Sequence, residues 1–78
     1  MLPRFIKLSQ HEGNNDPTAR LVDCQTYAGV YQTARGFVGT LPAGMAFEGF
    51  FATREEAREA VTKVMDGFRG TGSHAPTP

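Results

Sequence analysis

Residues 47–61 read FEGFFATREEAREAV, and the character of the chain changes at Thr53. Before it, Phe47, Phe50 and Phe51 make an aromatic run suited to a strand. After it the chain is charged and alanine-rich, which suits a helix. Thr53 is a good N-cap, and Glu56 three residues on has the capping-box spacing, in which each side chain satisfies an orphan backbone donor. Glu55 and Glu56 also put negative charge at the positive end of the helix dipole. Ala57, Ala60, Val61, Val64, Met65 and Phe68 recur at helical spacing as one apolar stripe. Glu55, Arg58, Glu59, Thr62, Lys63 and Asp66 take the other side, a solvated face with Glu59 supporting Lys63. The pattern predicts a helix stopped by Gly67 or Gly70. The remainder, GTGSHAPTP, lacks the apolar residues needed to pack, so residues 70–78 are expected to be a disordered tail.

Upstream of the junction the chain runs VYQT, ARG, FVGTL, PAG and MAFEGFF, three strand-prone runs separated by two short turns. In PAG, Pro42 presets φ and Gly44 can adopt the left-handed conformation that closes a three-residue hairpin loop. Two further strand candidates precede this meander. In RFIKLSQ (4–10), Phe5, Lys7 and Ser9 alternate with Ile6 and Leu8. In ARLVDCQTY (19–27), Val22, Cys24 and Thr26 alternate with Leu21, Asp23, Gln25 and Tyr27. Together they are expected to form an N-terminal hairpin. Between them HEGNNDPT has no large apolar side chain and reads as a mobile surface loop. The expected fold is α+β: a three-stranded meander plus an N-terminal hairpin on one C-terminal amphipathic helix, one domain over residues 1–69.

With 78 residues, the chain has room for a single modest core, so oligomerisation or partner binding would add stability. Eight basic residues balance eight acidic ones, a pattern that does not favour nucleic acid or an anionic membrane. Cys24 is the only cysteine, which excludes an internal disulfide and is expected to be a small buried hydrophobe of a strand. There is no apolar stretch of membrane-spanning length and no signal-peptide h-region, so a cytoplasmic protein is expected.

No constellation for catalysis is present. The two histidines, His11 and His74, fall in an expected loop and tail. Glu48 and Asp23 are the only carboxylates on expected strands and read as solvated or edge charges. His11, Glu12 and Asp16 match neither a calcium loop nor a zinc set, so neither metal nor cofactor is expected. GFRGTG (67–72) follows a helix instead of opening one, so it is not a phosphate loop.

From Tyr27 to Val61 the chain resembles the Apetala-type (ethylene-response-factor) DNA-binding domain, whose relatives occur in phage and mobile-element proteins, and more loosely the arm-binding domain of tyrosine integrases. The family opening Y-R-G-V-x-Q is matched at Tyr27, Gly29, Val30 and Gln32, and its turn glycine at Gly36. The closing L-G-x-F-x-T-x-E-E-A-A is matched at Gly49, Phe51, Thr53, Glu55, Glu56 and Ala57, with Glu48 in place of Leu. The resemblance implies a three-stranded sheet and helix, with DNA read by the sheet face opposite the helix. The arginine and tryptophan positions of that face fall on Ala28, Tyr31, Thr33, Arg35, Met45 and Phe47. One arginine remains, too little for phosphate-dominated affinity.

The expected function is therefore a small non-enzymatic module acting by protein contact, in the manner of a phage- or plasmid-type regulator or inhibitor. Its candidate surface is Tyr31, Arg35, Phe37, Met45 and Phe47, which becomes core if the N-terminal hairpin covers it. One alternative is a nucleic-acid-binding module with Arg4, Lys7, Arg20 and Arg35 as a basic strip. Another is a structural subunit completed by homodimerisation.

Overall fold

A computed structural model describes residues 4–73. Its architecture is α+β: a five-stranded antiparallel sheet with one helix packed on it. The strands are β1 (Phe5–Lys7), β2 (Arg20–Gln25), β3 (Ala28–Thr33), β4 (Gly36–Leu41) and β5 (Met45–Phe47), and the helix α1 is Arg54–Ser73. Their order in the sheet is β1-β5-β4-β3-β2.

The junction at Thr53 forms as its spacing requires. The Thr53 hydroxyl accepts the Glu56 N–H at 3.1 Å, and Glu55 and Glu56 occupy the first turn. Ala57 and Val61 are fully buried against Val30, Leu41 and Phe47, with Ala60, Val64 and Met65 packed around them. The helix does not stop at Gly67 or Gly70 but runs to Ser73. Glycine inside a helix costs about 1 kcal/mol relative to alanine, and it ends one only by turning left-handed. Of the expected tail, residues 70–73 are thus helical, and residues 74–78 lie outside the described residues.

The meander forms around two tight turns. Leu41 pairs with Met45 across the three-residue Pro42–Gly44 loop. Both Ala43 (φ 64°) and Gly44 (φ 73°) are left-handed there, so the loop uses one more such residue than glycine placement suggests. At the other turn Thr33 pairs with Gly36, and the Thr33 hydroxyl donates to the Gly36 carbonyl at 2.9 Å.

The N-terminal hairpin does not exist. β1 pairs with β5, Phe5 opposite Phe47, while β2 pairs with β3, so the two strands lie on opposite edges. Phe5 packs edge-on against Phe47 with ring centroids 5.2 Å apart. The apolar surface at the β5 edge thus recruits β1 in place of β2.

Helix and sheet approach closely at Gly39. A Cβ there would sit 2.9 Å from Val61 Cγ2 and 3.0 Å from Phe47 Cδ2. Gly39→Ala is therefore expected to lower unfolding free energy by about 1–3 kcal/mol through overpacking. Gly49→Ala, whose Cβ would meet nothing within 4 Å, serves as the control in the same urea titration and should leave stability nearly unchanged.

Candidate functional site

Cross-strand partners share a face of a sheet, so register assigns each side chain to the helix side or the open side. Tyr31 pairs with Val38, and Gln32 with Phe37. Phe37, Met45 and Phe47 pack into the core under α1. Tyr31, Thr33, Val38 and Thr40 take the opposite face. The candidate surface Tyr31, Arg35, Phe37, Met45 and Phe47 is therefore not one surface. Phe47 is buried, Phe37 and Met45 support it, Tyr31 lies on the far side of the sheet, and Arg35 sits exposed in the β3–β4 turn.

The open face is crossed by residues 8–19, which connect the two edges. This strap contains two 3₁₀ turns: Leu8–Gln10, where the strand expected over 4–10 ends early at Lys7, and Glu12–Asn15, where a mobile loop was expected. His11 is its anchor and is only 4% exposed. Its Nδ1 accepts the Gly13 N–H at 2.9 Å, and its Nε2 lies 3.1 Å from the Gly49 carbonyl. A carbonyl can only accept, so these partners require the neutral Nε2–H tautomer. Neither nitrogen is then free to bind a metal. The ring also packs edge-on against Phe50 at 5.0 Å. Arg35 closes the assembly, with an ion pair to Glu12 at 2.6 Å and its guanidinium 4.9 Å from the centre of the Phe50 ring.

Asp16 fastens the far end of the strap. Its carboxylate accepts the Ala34 N–H of the β3–β4 turn at 2.8 Å, together with the Thr18 N–H and hydroxyl at 2.8 and 2.7 Å. These donors, Ala34 first, hold the Asp16 pKa below its ordinary 3.8.

The expected basic strip is dispersed. Arg4 and Lys7 flank or belong to β1 and Arg20 begins β2, on opposite edges. Arg4 pairs with Glu48 at 3.3 Å, and Arg35 pairs with Glu12. The helix charges also differ from expectation. In place of a Glu59–Lys63 pair, Arg54 and Arg58 reach the largely buried Asp23 of β2 at 3.8 and 3.4 Å, tying helix to sheet edge. Asp23 faces the helix because a bulge between Leu21 and Asp23 shifts the alternation of β2. The same bulge leaves Cys24 exposed, where a buried residue was expected.

The strap covers only the end of the face near Phe50 and Ala34. The other end, at the β2–β3 turn, stays open and forms a shallow concavity lined by Leu21, Cys24, Tyr27, Tyr31 and Thr40. Leu21 is 48% and Tyr27 79% exposed. Tyr27 also has φ 66°, a left-handed conformation that costs a non-glycine residue about 1–2 kcal/mol. Leu21 and Tyr27 escaped notice in the sequence because strand alternation placed them among ordinary β2 residues.

Beneath the strap lies a second, more enclosed cavity of about 160 Å³.

Among the described residues no group of three His, Cys, Asp or Glu side chains is placed to hold a metal ion, and no helix is long and apolar enough to cross a membrane. Comparison with family models, with curated proteins and with solved structures returned no match. The likeness to the Apetala-type domain thus rests on the motifs within residues 27–61.

The Asp16 contacts predict an acid-sensitive strap. A carboxyl whose folded pKa is depressed contributes stability above its unfolded pKa and loses it as pH falls through the lower folded value. The stability difference between wild type and Asp16→Ala should be constant at neutral pH and shrink below 3.8. Denaturation midpoints across pH 2–7 check this.

Proposed function

We propose that this chain is a small non-enzymatic binding module that engages another protein through the uncovered end of its open sheet face, with Leu21, Tyr27 and Tyr31 as the contact residues. The observation that carries this is Tyr27. The fold holds its ring 79% exposed on a left-handed backbone, at the rim of a concavity shared with Leu21 and Tyr31. Strain of this kind is tolerated at sites where a side chain has a functional role, and tyrosine is among the residues enriched as anchors of binding energy. The scattered, partly paired arginines argue against a nucleic-acid surface, since phosphate contacts need clustered free cations. Such a module acts as a regulator or inhibitor by occupying its partner.

Site-specific photo-cross-linking tests the proposal. With p-benzoyl-phenylalanine replacing Tyr27 in the source cell, an adduct with one different protein is expected. Leu21→Asp in the same chain should abolish it without lowering the melting temperature. Adducts of the chain only with itself would support the homodimer and contradict the proposal. So would no protein adduct combined with steeply salt-dependent binding to duplex DNA.

A further inference from the structure

The cavity under the strap lies toward the opposite end of the open face from Tyr27 and shares one lining residue, Tyr31, with the surface proposed for protein contact. Leu8, Gly13 and Asn14 of the strap form its roof. Tyr31, Thr33 and Val38 form its floor, and Ala19 closes it where the strap runs into β2. Both walls are fixed. The roof is anchored by His11 on Gly49 and by Asp16 on Ala34, and the floor is two paired strands. Gly13 permits the close approach, because a Cβ there would lie 3.2 Å from both Phe50 and Val38.

The lining combines apolar carbon with two polar side-chain groups not engaged by other described residues, the Tyr31 hydroxyl on a half-buried residue and the carboxamide of Asn14, which is exposed to solvent. Thr33 is already engaged, since its hydroxyl donates to Gly36 and accepts from Arg35. An apolar cavity of about 150 Å³ is enough to hold benzene, and this one measures about 160 Å³. No charged side chain lines it, so an ionic ligand would lose its hydration without compensation.

We infer that the cavity between strap and sheet is a binding site for one neutral, phenol-sized aromatic ring, with its apolar body against Leu8, Ala19 and Val38 and a single polar substituent reaching Asn14 or Tyr31. Such a ring comes either from a free small molecule or from a tyrosine side chain of another polypeptide.

Titration of the full ¹⁵N-labelled chain with phenol, and in parallel with N-acetyl-tyrosinamide, tests the inference and separates the sources. Phenol should give saturable shifts confined to Leu8, Gly13, Asn14, Thr33 and their neighbours, with intermolecular NOEs to the Val38 methyls. Saturation by N-acetyl-tyrosinamide as well would assign the site to a side chain, and its exclusion would assign it to a free molecule. Ala19→Phe, which fills the cavity from its edge, should weaken phenol at least tenfold while leaving the spectrum folded. Absence of saturable shifts, shifts scattered over the surface, or undiminished binding to a folded Ala19→Phe variant would overturn it. Loss of the Tyr27 cross-link leaves this result untouched, so the two proposals fail separately.

Discussion

Because β1 and β2 occupy opposite edges of one sheet, the chain between them has to cross it. Four strand spacings of about 4.8 Å make roughly 19 Å, and α1 already covers one face. The crossing therefore lies on the other. A segment over a sheet brings its own backbone polar groups into contact with apolar surface, and these need partners. His11 supplies them, accepting from Gly13 and donating to Gly49. One buried imidazole thereby joins the strap to the β5–α1 connection, and Asp16 joins it to the β3–β4 turn.

This constraint divides the molecule. The helix side is a conventional small core of Val30, Leu41, Phe47, Ala57 and Val61. The open side is roofed at one end and bare at the other. The roofed end keeps a partly open cavity, since the strap bridges the sheet without filling the space above Tyr31 and Val38. The bare end presents Leu21 and Tyr27. The bulge in β2 serves both faces: it turns Asp23 toward Arg54 and Arg58, and it leaves Leu21 and Cys24 outward. Leu21 also lies close over Gly29, where a Cβ would be 2.9 Å from its Cδ1, so the glycine of the Y-x-G-V-x-Q motif has a local packing role here.

The most legible parts of the fold were those set by neighbours in the chain. The Thr53 cap, the apolar stripe of α1 and the Pro42–Gly44 hairpin depend on spacings of three or four residues, which can be read directly. Strand alternation in 4–10 and 19–27 marked two strands but said nothing about their neighbours, so Phe5 facing Phe47 was out of reach. The candidate site failed for a related reason. Assigning Phe37 and Tyr31 to one face requires the β3–β4 register, and the two-residue turn places Tyr31 opposite Val38 instead. A one-residue difference in register exchanges the faces completely. The left-handed Tyr27 and the bulge at Val22 are tertiary choices with no composition signal. Only Asp16-Pro17-Thr18 hinted that the strap was ordered, through the Asx-type turn its residues favour.

A buried, neutral His11 latches the strap across the sheet. Long-range ¹H–¹⁵N correlation of the imidazole at neutral pH tests it most directly. A single Nε2–H tautomer is expected, with an unprotonated Nδ1 and a through-bond coupling to the Gly13 amide. A solvent-averaged mixture of tautomers with no coupling to Gly13 would contradict it, because the strap would then be free of the sheet.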